Sequence, residues 1–241
     1  AEVKLKAQDF DQNLRIPQTL FGREKEINSL QLFLQNTSKI MFISGQSGTG
    51  KTSLVNDLYP YICENKGYFF SGKFDQLNRS KPYSALSEIF KSFLETIFTE
   101  STDSISQWKK KLTKKLGNSA YILEPVIPGI TEFLGTKNET ESVSYVDEKN
   151  RINFLFSNFI HCLAESEKLM VIFIDDFQWA DLSSLQILEY ALKTVEGNNS
   201  MYIIGSYRSE EVNEDHIFSN FRKRLDNLIL PANEIVLKNL R

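Results

Sequence analysis

The segment GQSGTGKT, residues 45–52, directly follows the apolar run IMFIS at residues 40–44. It matches the spacing GxxxxGK[ST] through Gly45, Gly50 and Lys51, with Thr52 in the last position. Glycines let backbone N–H groups surround phosphate oxygens that side chains would obstruct. The lysine neutralises the outer phosphates, and the hydroxyl after it is a ligand for Mg²⁺. This segment, here called the phosphate loop, therefore predicts a phosphate-binding site.

The predicted nucleotide contacts comprise the whole phosphate loop and the serine that follows it. They are Gly45, Gln46, Ser47, Gly48, Thr49, Gly50, Lys51, Thr52 and Ser53. Lys51 is also predicted to act in catalysis, because a fixed positive charge stabilises phosphoryl transfer. The alternative is a glycine-rich turn with a chance lysine. The position between an apolar strand and an amphipathic helix favours the phosphate-binding interpretation.

Apolar runs typical of buried strands alternate with helical patterns along the chain. The strand patterns lie at residues 39–44, 68–74, 169–175 and 201–208, and EIVLKNL near the end is a candidate fifth. Pro60 should kink or break the helical pattern that follows the phosphate loop. The alternation predicts a three-layer α/β fold, with a mainly parallel sheet and helices on both faces.

Two acids end the most apolar strand pattern, in VIFIDD at residues 171–176. A phosphate-bound Mg²⁺ needs a carboxylate at the carboxyl end of a neighbouring strand, which predicts Asp175 as a metal ligand together with Thr52. A second acid there can polarise the attacking water, which predicts Asp176 as a catalytic residue. The alternative for each is a solvated acid at a strand end.

A further strand pattern, IIGSYR at residues 203–208, ends with Arg208. An arginine in this position can reach the terminal phosphate and stabilise the transferred charge, so Arg208 is a predicted catalytic residue. The alternative is a surface arginine paired with Glu210 or Glu211. Lys73 ends the second strand on the same rim, where it either binds ligand or only ends the strand.

The composition suits a globular protein rather than a membrane or nucleic-acid-binding one. The chain has 241 residues, 41% of them hydrophobic, and a formal net charge of −3 without a basic block. Cys63 and Cys162 lie in apolar helical patterns and are predicted to be buried. No run of about 18 apolar residues and no signal peptide is present, so we expect a cytoplasmic location without a membrane segment.

The sequence favours ATP over GTP as the nucleotide. GTPases usually read guanine with an [N/T]KxD segment after a strand. NKGY at residues 65–68 departs from that pattern at its last position and precedes a strand. ATP or ADP with Mg²⁺ is therefore the predicted ligand.

Several segments together resemble a known module: IPQTLFGREKEI, GQSGTGKTSLV, GYFFSGKFDQ, PYSAL, FIDDFQWAD and IIGSYRSEEV. Over roughly residues 16–241, their order and spacing resemble the AAA-like ATPase module of the STAND class of signalling NTPases. The chain is most similar to the version in large bacterial multidomain sensor kinases, which combine protein-kinase-like, sensory and histidine-kinase domains. The resemblance implies a P-loop NTPase sheet of order 5-1-4-3-2.

The resemblance also implies roles for individual residues. It places three residues near the adenine and ribose, namely Phe21, Gly22 and Arg23. It implies that Asp175 binds the magnesium ion, that Asp176 polarises the attacking water and that Arg208 senses the outer phosphate. Most AAA relatives carry Asp-Glu where this chain has Asp-Asp, and the shorter side chain implies slow hydrolysis.

The polar N-terminal stretch, residues 1–18, is predicted to be a linker or an edge extension, and residues 19–241 are the predicted P-loop ATPase core. In the family, a helical lid and effector domains follow the segment that matches IVLKNLR, where this chain ends. The nucleotide is usually a switch, closed with ADP and open or oligomeric with ATP. The implied partners are the nucleotide, neighbouring kinase and sensor domains, and a homo-oligomer. We expect weak or partial nucleotide binding by this chain alone.

A regulatory ATPase of signal transduction is the leading hypothesis, and three alternatives remain open. The first is an ATPase of a nucleic-acid-handling or transcription-regulating protein, like origin-recognition proteins, although no nucleic-acid partner is expected from the acidic charge balance. The second is a scaffold that binds nucleotide without hydrolysing it. The third is a small-molecule kinase, for which no acceptor-binding motif is visible.

Overall fold

The computed structural model describes residues 22–36, 38–78, 81–136, 145–194, 200–227 and 232–239. Within these ranges the chain forms a five-stranded sheet. The strands are β1 Ile40–Gly45, β2 Tyr68–Lys73, β3 Met170–Asp175, β4 Met201–Arg208 and β5 Asn233–Leu237. The predicted linker, residues 1–18, lies outside the described residues, and so does Phe21.

The strands follow the order β2-β3-β4-β1-β5, and every pairing between neighbours is parallel. The predicted order 5-1-4-3-2 and the predicted α/β class are thus confirmed. Because the strands are parallel, their carboxyl ends lie at one edge of the sheet. The register places Gly45 opposite Arg208, and Lys73 opposite Asp175. The topology therefore brings the predicted site residues of β2, β3 and β4 to the edge where the phosphate loop begins.

Helices cover both faces of the sheet. They are α1 Glu24–Phe33, α2 Lys51–Asn56, α3 Tyr59–Glu64, α4 Ser84–Phe98, α5 Thr102–Leu116, α6 Ile130–Leu134, α7 Tyr145–Ala164, α8 Leu182–Thr194 and α9 Ile217–Asp226. The predicted break at Pro60 is confirmed, since Pro60 lies in the first turn of α3. Proline is tolerated there because the first turn of a helix leaves its N–H groups unpaired in any case.

Alternate residues of the strands enter two separate cores. Met41 and Ile43 of β1 pack with Leu30 of α1 and Leu54 of α2 on one face of the sheet. Phe42, between them in sequence, packs on the opposite face in the larger core that includes α4, α7 and α8. This arrangement follows from the two-residue period of a strand, and it gives the predicted three layers.

The prediction for the cysteines is right for one residue and wrong for the other. Cys162 on α7 is buried, and desolvation raises the pKa of its thiol to about 11. Cys63 on α3 is exposed, so its predicted burial is wrong. The buried residue of this short helix is Ile62, and the next residue along a helix points roughly 100° away from it.

Gly205 on β4 makes room for an aromatic ring behind the candidate site. A Cβ atom at this position would lie 2.6 Å from the ring of Phe177 and 2.8 Å from the ring of Phe42. Phe177 follows Asp176 directly, and its ring meets that of Phe42 edge-on at 5.5 Å between centroids. The small residue therefore holds the turn after β3 close against the sheet.

We expect Gly205→Val to lower the free energy of unfolding by about 1–3 kcal/mol or more, because overpacking forces rings off their positions. Urea unfolding followed by circular dichroism measures this change. Ser71→Val places the same side chain at an exposed position of β2 and is the matched control. Equal unfolding midpoints for Gly205→Val and the wild type would contradict the packing argument.

Candidate nucleotide-binding site

The phosphate loop connects β1 to α2 in a conformation that depends on glycine. A Cβ on Gly45 would lie 2.6 Å from the backbone oxygen of Leu237 on β5 and 2.9 Å from Oγ1 of Thr49. Gly50 adopts a positive φ of 88° directly before α2, a region that other residues rarely occupy. Close approach to β5 and the turn into α2 therefore account for two of the three glycines of the loop.

Lys51 lies under the loop and is bonded to it. It is 7% exposed, and its Nζ donates to the carbonyl oxygens of Gly45 at 2.9 Å and Gln46 at 2.8 Å. Desolvation lowers the pKa of Lys51, while the nearby acids act in the opposite direction, Glu210 most strongly and Asp175 next. The ammonium group is thus held at the loop, close to the N–H groups that would surround a phosphate.

Thr52 and Asp175, the two predicted metal ligands, are in direct contact. The Thr52 hydroxyl donates to Oδ2 of Asp175 at 2.8 Å, although the residues are 123 positions apart in sequence. Oδ1 of Asp175 accepts from the hydroxyl of Ser206 and from the backbone N–H of Asp176 at 3.0 Å. Asp175 is 8% exposed, and two of its three partners, Ser206 and Asp176, are buried, so these protein groups rather than water set its orientation.

These donors fit a magnesium ion that shares its coordination with phosphate. Mg²⁺ prefers oxygen ligands and is usually held by one or two carboxylates together with substrate phosphates. A buried carboxylate and a hydroxyl at hydrogen-bond distance supply that set. Among the described residues, no group of three or more His, Cys, Asp or Glu side chains is arranged to hold a metal.

Asp176 lies in a left-handed backbone conformation, with φ 57°, and is 4% exposed. Its carboxylate contacts Nζ of Lys73 at 2.9 Å and Nε of Arg208 at 3.5 Å. The hydrogen bond to Asp176 is the main cause that raises the pKa of Lys73. The end of β2 therefore takes part in the site, which the sequence left undecided for Lys73.

Gln178 is a site residue that the sequence analysis missed. Its Nε2 donates to Oδ1 of Asp176 at 2.8 Å, and its Oε1 accepts the backbone N–H of Arg208 at 3.1 Å. It is 1% exposed and joins the ends of β3 and β4. An amide has no characteristic spacing in a sequence, and its place in the QWAD segment was the one available signal.

Arg208 contacts both the site and the surface. Besides Asp176, it pairs with Glu211 through Nη1 at 2.8 Å, and its guanidinium lies 4.7 Å from the centre of the Trp179 ring. The Trp179 indole N–H donates to Glu211 at 2.9 Å. The pairing with Glu211, which the sequence offered as the alternative, is present, and Arg208 also lies beside Asp176.

Arg23 is buried against the phosphate loop from the N-terminal side. Its guanidinium donates to the backbone oxygens of Thr49 at 3.2 Å and Lys238 at 2.5 Å. Both of these residues line a recess between the loop and the end of β5. Gly22 precedes it with a positive φ of 82° and is exposed. Of the predicted adenine-contacting set, Arg23 thus borders this recess.

Other predicted contacts lie at the loop surface. Ser53 is exposed on α2, and the exposed Ser47 donates its backbone N–H to Glu210 at 2.8 Å. A larger open groove runs between α7, α8 and Arg224 of α9. None of the predicted site residues lines that groove, so the candidate site is the smaller recess with the loop and the strand ends.

A family profile described as AAA ATPase domain matches residues 19–204, more than half of the chain. The chain belongs to the AAA ATPase domain family. AAA ATPase domains have the phosphate loop between a strand and a helix, as this chain has at residues 45–52. The predicted P-loop NTPase fold is therefore confirmed.

Among curated relatives of this AAA ATPase domain are two histidine kinases. Hybrid signal transduction histidine kinase G of Dictyostelium discoideum is 32% identical over 200 residues, which is 80% of this chain and 6% of that protein. Histidine protein kinase 1 of Candida albicans is 22% identical over 194 residues, 73% of this chain and 8% of that protein. The chain thus spans less than a tenth of the length of each kinase.

A solved structure similar to this chain is that of the Walker-type ATPase PABY2304 of Pyrococcus abyssi. It is 16% identical, with a TM-score of 0.43, and the match covers 91% of this chain and 54% of that one.

In the part of the chain that the structure describes, no helix has both the length and the apolar character needed to cross a membrane.

Proposed function

We propose that this chain is the ATP-binding regulatory module of a STAND-class signalling protein, with slow, Mg²⁺-dependent hydrolysis that switches its conformation or oligomeric state. The observation that carries the proposal is the contact between Thr52 and Asp175, beside Lys51 and at the mouth of the phosphate loop. The similarity to segments of two histidine kinases supports the role in signalling. The neighbouring kinase and sensor domains of a longer protein are the proposed partners.

The nucleotide would lie across the carboxyl edge of the sheet. Its phosphates would be held by the backbone N–H groups of the phosphate loop and by Lys51, which would exchange two carbonyl acceptors for charged oxygens. The base would enter the recess between the loop and β5, which Arg23 borders. Arg23 would then act by holding the recess wall in place, since its Nη2 donates to two backbone oxygens of that wall while its Nη1 pairs with Glu26.

Hydrolysis would be carried out by the residues at the ends of β3 and β4. A bound Mg²⁺ would neutralise charge on the phosphate oxygens and would be held by Thr52 and Asp175. Asp176 would accept a proton from the attacking water, and Gln178 holds its carboxylate in position. Arg208 would stabilise charge on the transferred phosphoryl group. Because Lys73 and Arg208 already engage the Asp176 carboxylate, we propose that turnover is slow.

The proposed metal dependence is tested by calorimetric titration with ATP, with millimolar Mg²⁺ or with EDTA. We expect removal of Mg²⁺ to weaken ATP binding by about tenfold, the equivalent of about 1.4 kcal/mol, because the phosphates lose their link to Asp175. Thr52→Val removes the hydroxyl at nearly constant volume, so it should reduce this difference.

The matched control is Thr113→Val, which removes a hydroxyl from an exposed position of α5 and should keep the full metal dependence. Equal affinity for ATP with Mg²⁺ and with EDTA in the wild-type chain would overturn the proposed role of Thr52 and Asp175. No binding of ATP under either condition would overturn the proposed function itself.

A further inference from the structure

A carboxylate from outside the phosphate loop is bonded to the loop. The backbone N–H of Ser47 donates to Oε1 of Glu210 at 2.8 Å, across 163 positions of sequence. Glu210 belongs to the 3₁₀ turn Ser209–Glu211, which follows β4 directly. The sequence suggested Glu210 only as a partner for Arg208, whereas the structure pairs Arg208 with Glu211 and bonds Glu210 to the loop.

The groups around Glu210 are those that attract an anion. Its own backbone N–H, then that of Ser47, lower the pKa of Glu210, and the positive charges of Lys51 and Arg208 add to this effect. Among the acids near Lys51, Glu210 has the largest effect on the pKa of that ammonium group. The Glu210 carboxylate therefore interacts electrostatically with Lys51, the residue that in a phosphate loop reaches the outer phosphates.

The Glu210 carboxylate lies outside the core. Glu210 is exposed, and its described bonds link it to the loop and to its own turn. The turn can move without disturbing the core, since none of its three residues is buried. A terminal phosphate carries more negative charge and more acceptor oxygens than a carboxylate, so it can compete for the same N–H.

We propose that Glu210 stands in for the outer phosphate when the site holds no ATP, and that it is a specificity-determining residue which disfavours ATP relative to ADP. This inference rests on the proposed function. The γ-phosphate would compete with Glu210 for the Ser47 N–H and for Lys51, and two anions so close to each other repel. ADP lacks the γ-phosphate and leaves Glu210 in place.

The inference gives the turn after β4 a part in the switch. Glu211, the next residue, holds both Arg208 and the indole of Trp179. Displacement of Glu210 by ATP would move the same turn and so loosen the contacts of Glu211. Occupation of the outer phosphate position would in this way be transmitted to Arg208 and to the protein surface.

The test compares ATP and ADP affinities of Glu210→Gln and the wild type by calorimetry with Mg²⁺. Glutamine keeps a carbonyl oxygen for the Ser47 N–H and removes the charge. We expect ATP to bind about threefold to tenfold more tightly to the variant, because one repulsion between exposed charges is removed. The affinity for ADP should change by less than about twofold. Glu214→Gln, at an exposed position of the next turn, is the matched control and should change neither affinity.

A second measurement follows the contact itself. In ¹⁵N-labelled protein, the amide resonance of Ser47 should move when Glu210 is replaced, and in the wild type ATP should shift it further than ADP does. Three results would each overturn the proposal. The variant could gain affinity for ATP and ADP equally, it could gain affinity for neither, or the Ser47 amide resonance could be unchanged by Glu210→Gln. Binding of both nucleotides by the wild type in those cases leaves the proposed function intact, whereas absence of any nucleotide binding in wild type and variant overturns both.

Discussion

Lys51→Ala should weaken ATP binding by about a hundredfold, the largest effect on affinity that we expect from one side chain. Hydrogen bonds to charged groups contribute about 1.5–3 kcal/mol each, and the ammonium group can donate to two phosphate oxygens as it now donates to two carbonyls. The alanine cannot replace the charge, and water would enter the space. Calorimetric titration with ATP and Mg²⁺ measures the loss directly.

The control for Lys51→Ala is Lys114→Ala, which removes an exposed lysine from α5. Helix α5 contains none of the site residues, so the Lys114→Ala substitution should leave the affinity for ATP within about twofold of the wild type. Thermal unfolding of both variants separates loss of binding from loss of folding. An affinity for ATP that survives in folded Lys51→Ala would mean that the phosphates do not bind at this loop.

Asp176→Asn should slow phosphate release by about a hundredfold or more, because a positioned general base contributes roughly 10²–10⁴ to such a rate. ATP binding should be unchanged or tighter. The reason is that Lys73 and Arg208 lose the carboxylate they share at 2.9 Å and 3.5 Å, so both cations become available to phosphate. Single-turnover phosphate release and calorimetry on the same protein measure the two effects separately.

Asp215→Asn, which removes an exposed acid from the turn before α9, is the matched control for Asp176→Asn. It should retain the wild-type rate and affinity. Equal phosphate release from Asp176→Asn and the wild type would remove Asp176 from the mechanism. If both proteins bind ATP and neither releases phosphate, the chain is a nucleotide-binding scaffold, the alternative that the sequence left open.

Much of the fold could be predicted because its signals are local. An apolar run before GQSGTGKT predicts β1, and VIFIDD and IIGSYR predict β3 and β4 with boundaries close to those observed. Pro60 lies within the apolar helical pattern and divides it as expected. The burial of Cys63 was predicted wrongly, because a periodic pattern does not reveal which face of a short helix meets the sheet.

The part of the candidate site that could be predicted is the part in which one segment suffices. Lys51 and Thr52 follow from the spacing of the loop, and Asp175 from the end of an apolar strand. The contacts that Lys73, Gln178 and Ser206 make in the site could not be predicted. Ser206 reaches Asp175, and Lys73 and Gln178 reach Asp176, from another strand or from the turn, and such contacts depend on the tertiary structure.

The amino-acid sequence by itself determined the phosphate loop, the alternation of strands and helices, and the acids and the arginine that end β3 and β4. Those features depend on backbone preferences and on the period of apolar residues, which act over a few positions. Only the tertiary structure decided which charges meet. Strand β4 lies between β1 and β3, so the Ser206 hydroxyl bonds to Asp175. The Asp176 carboxylate contacts both Lys73 and Arg208. Glu210 bonds to Ser47, which is 163 residues away in the sequence. Electrostatic interactions act through space rather than along the chain, so GQSGTGKT alone cannot reveal the carboxylate that lies at its opening.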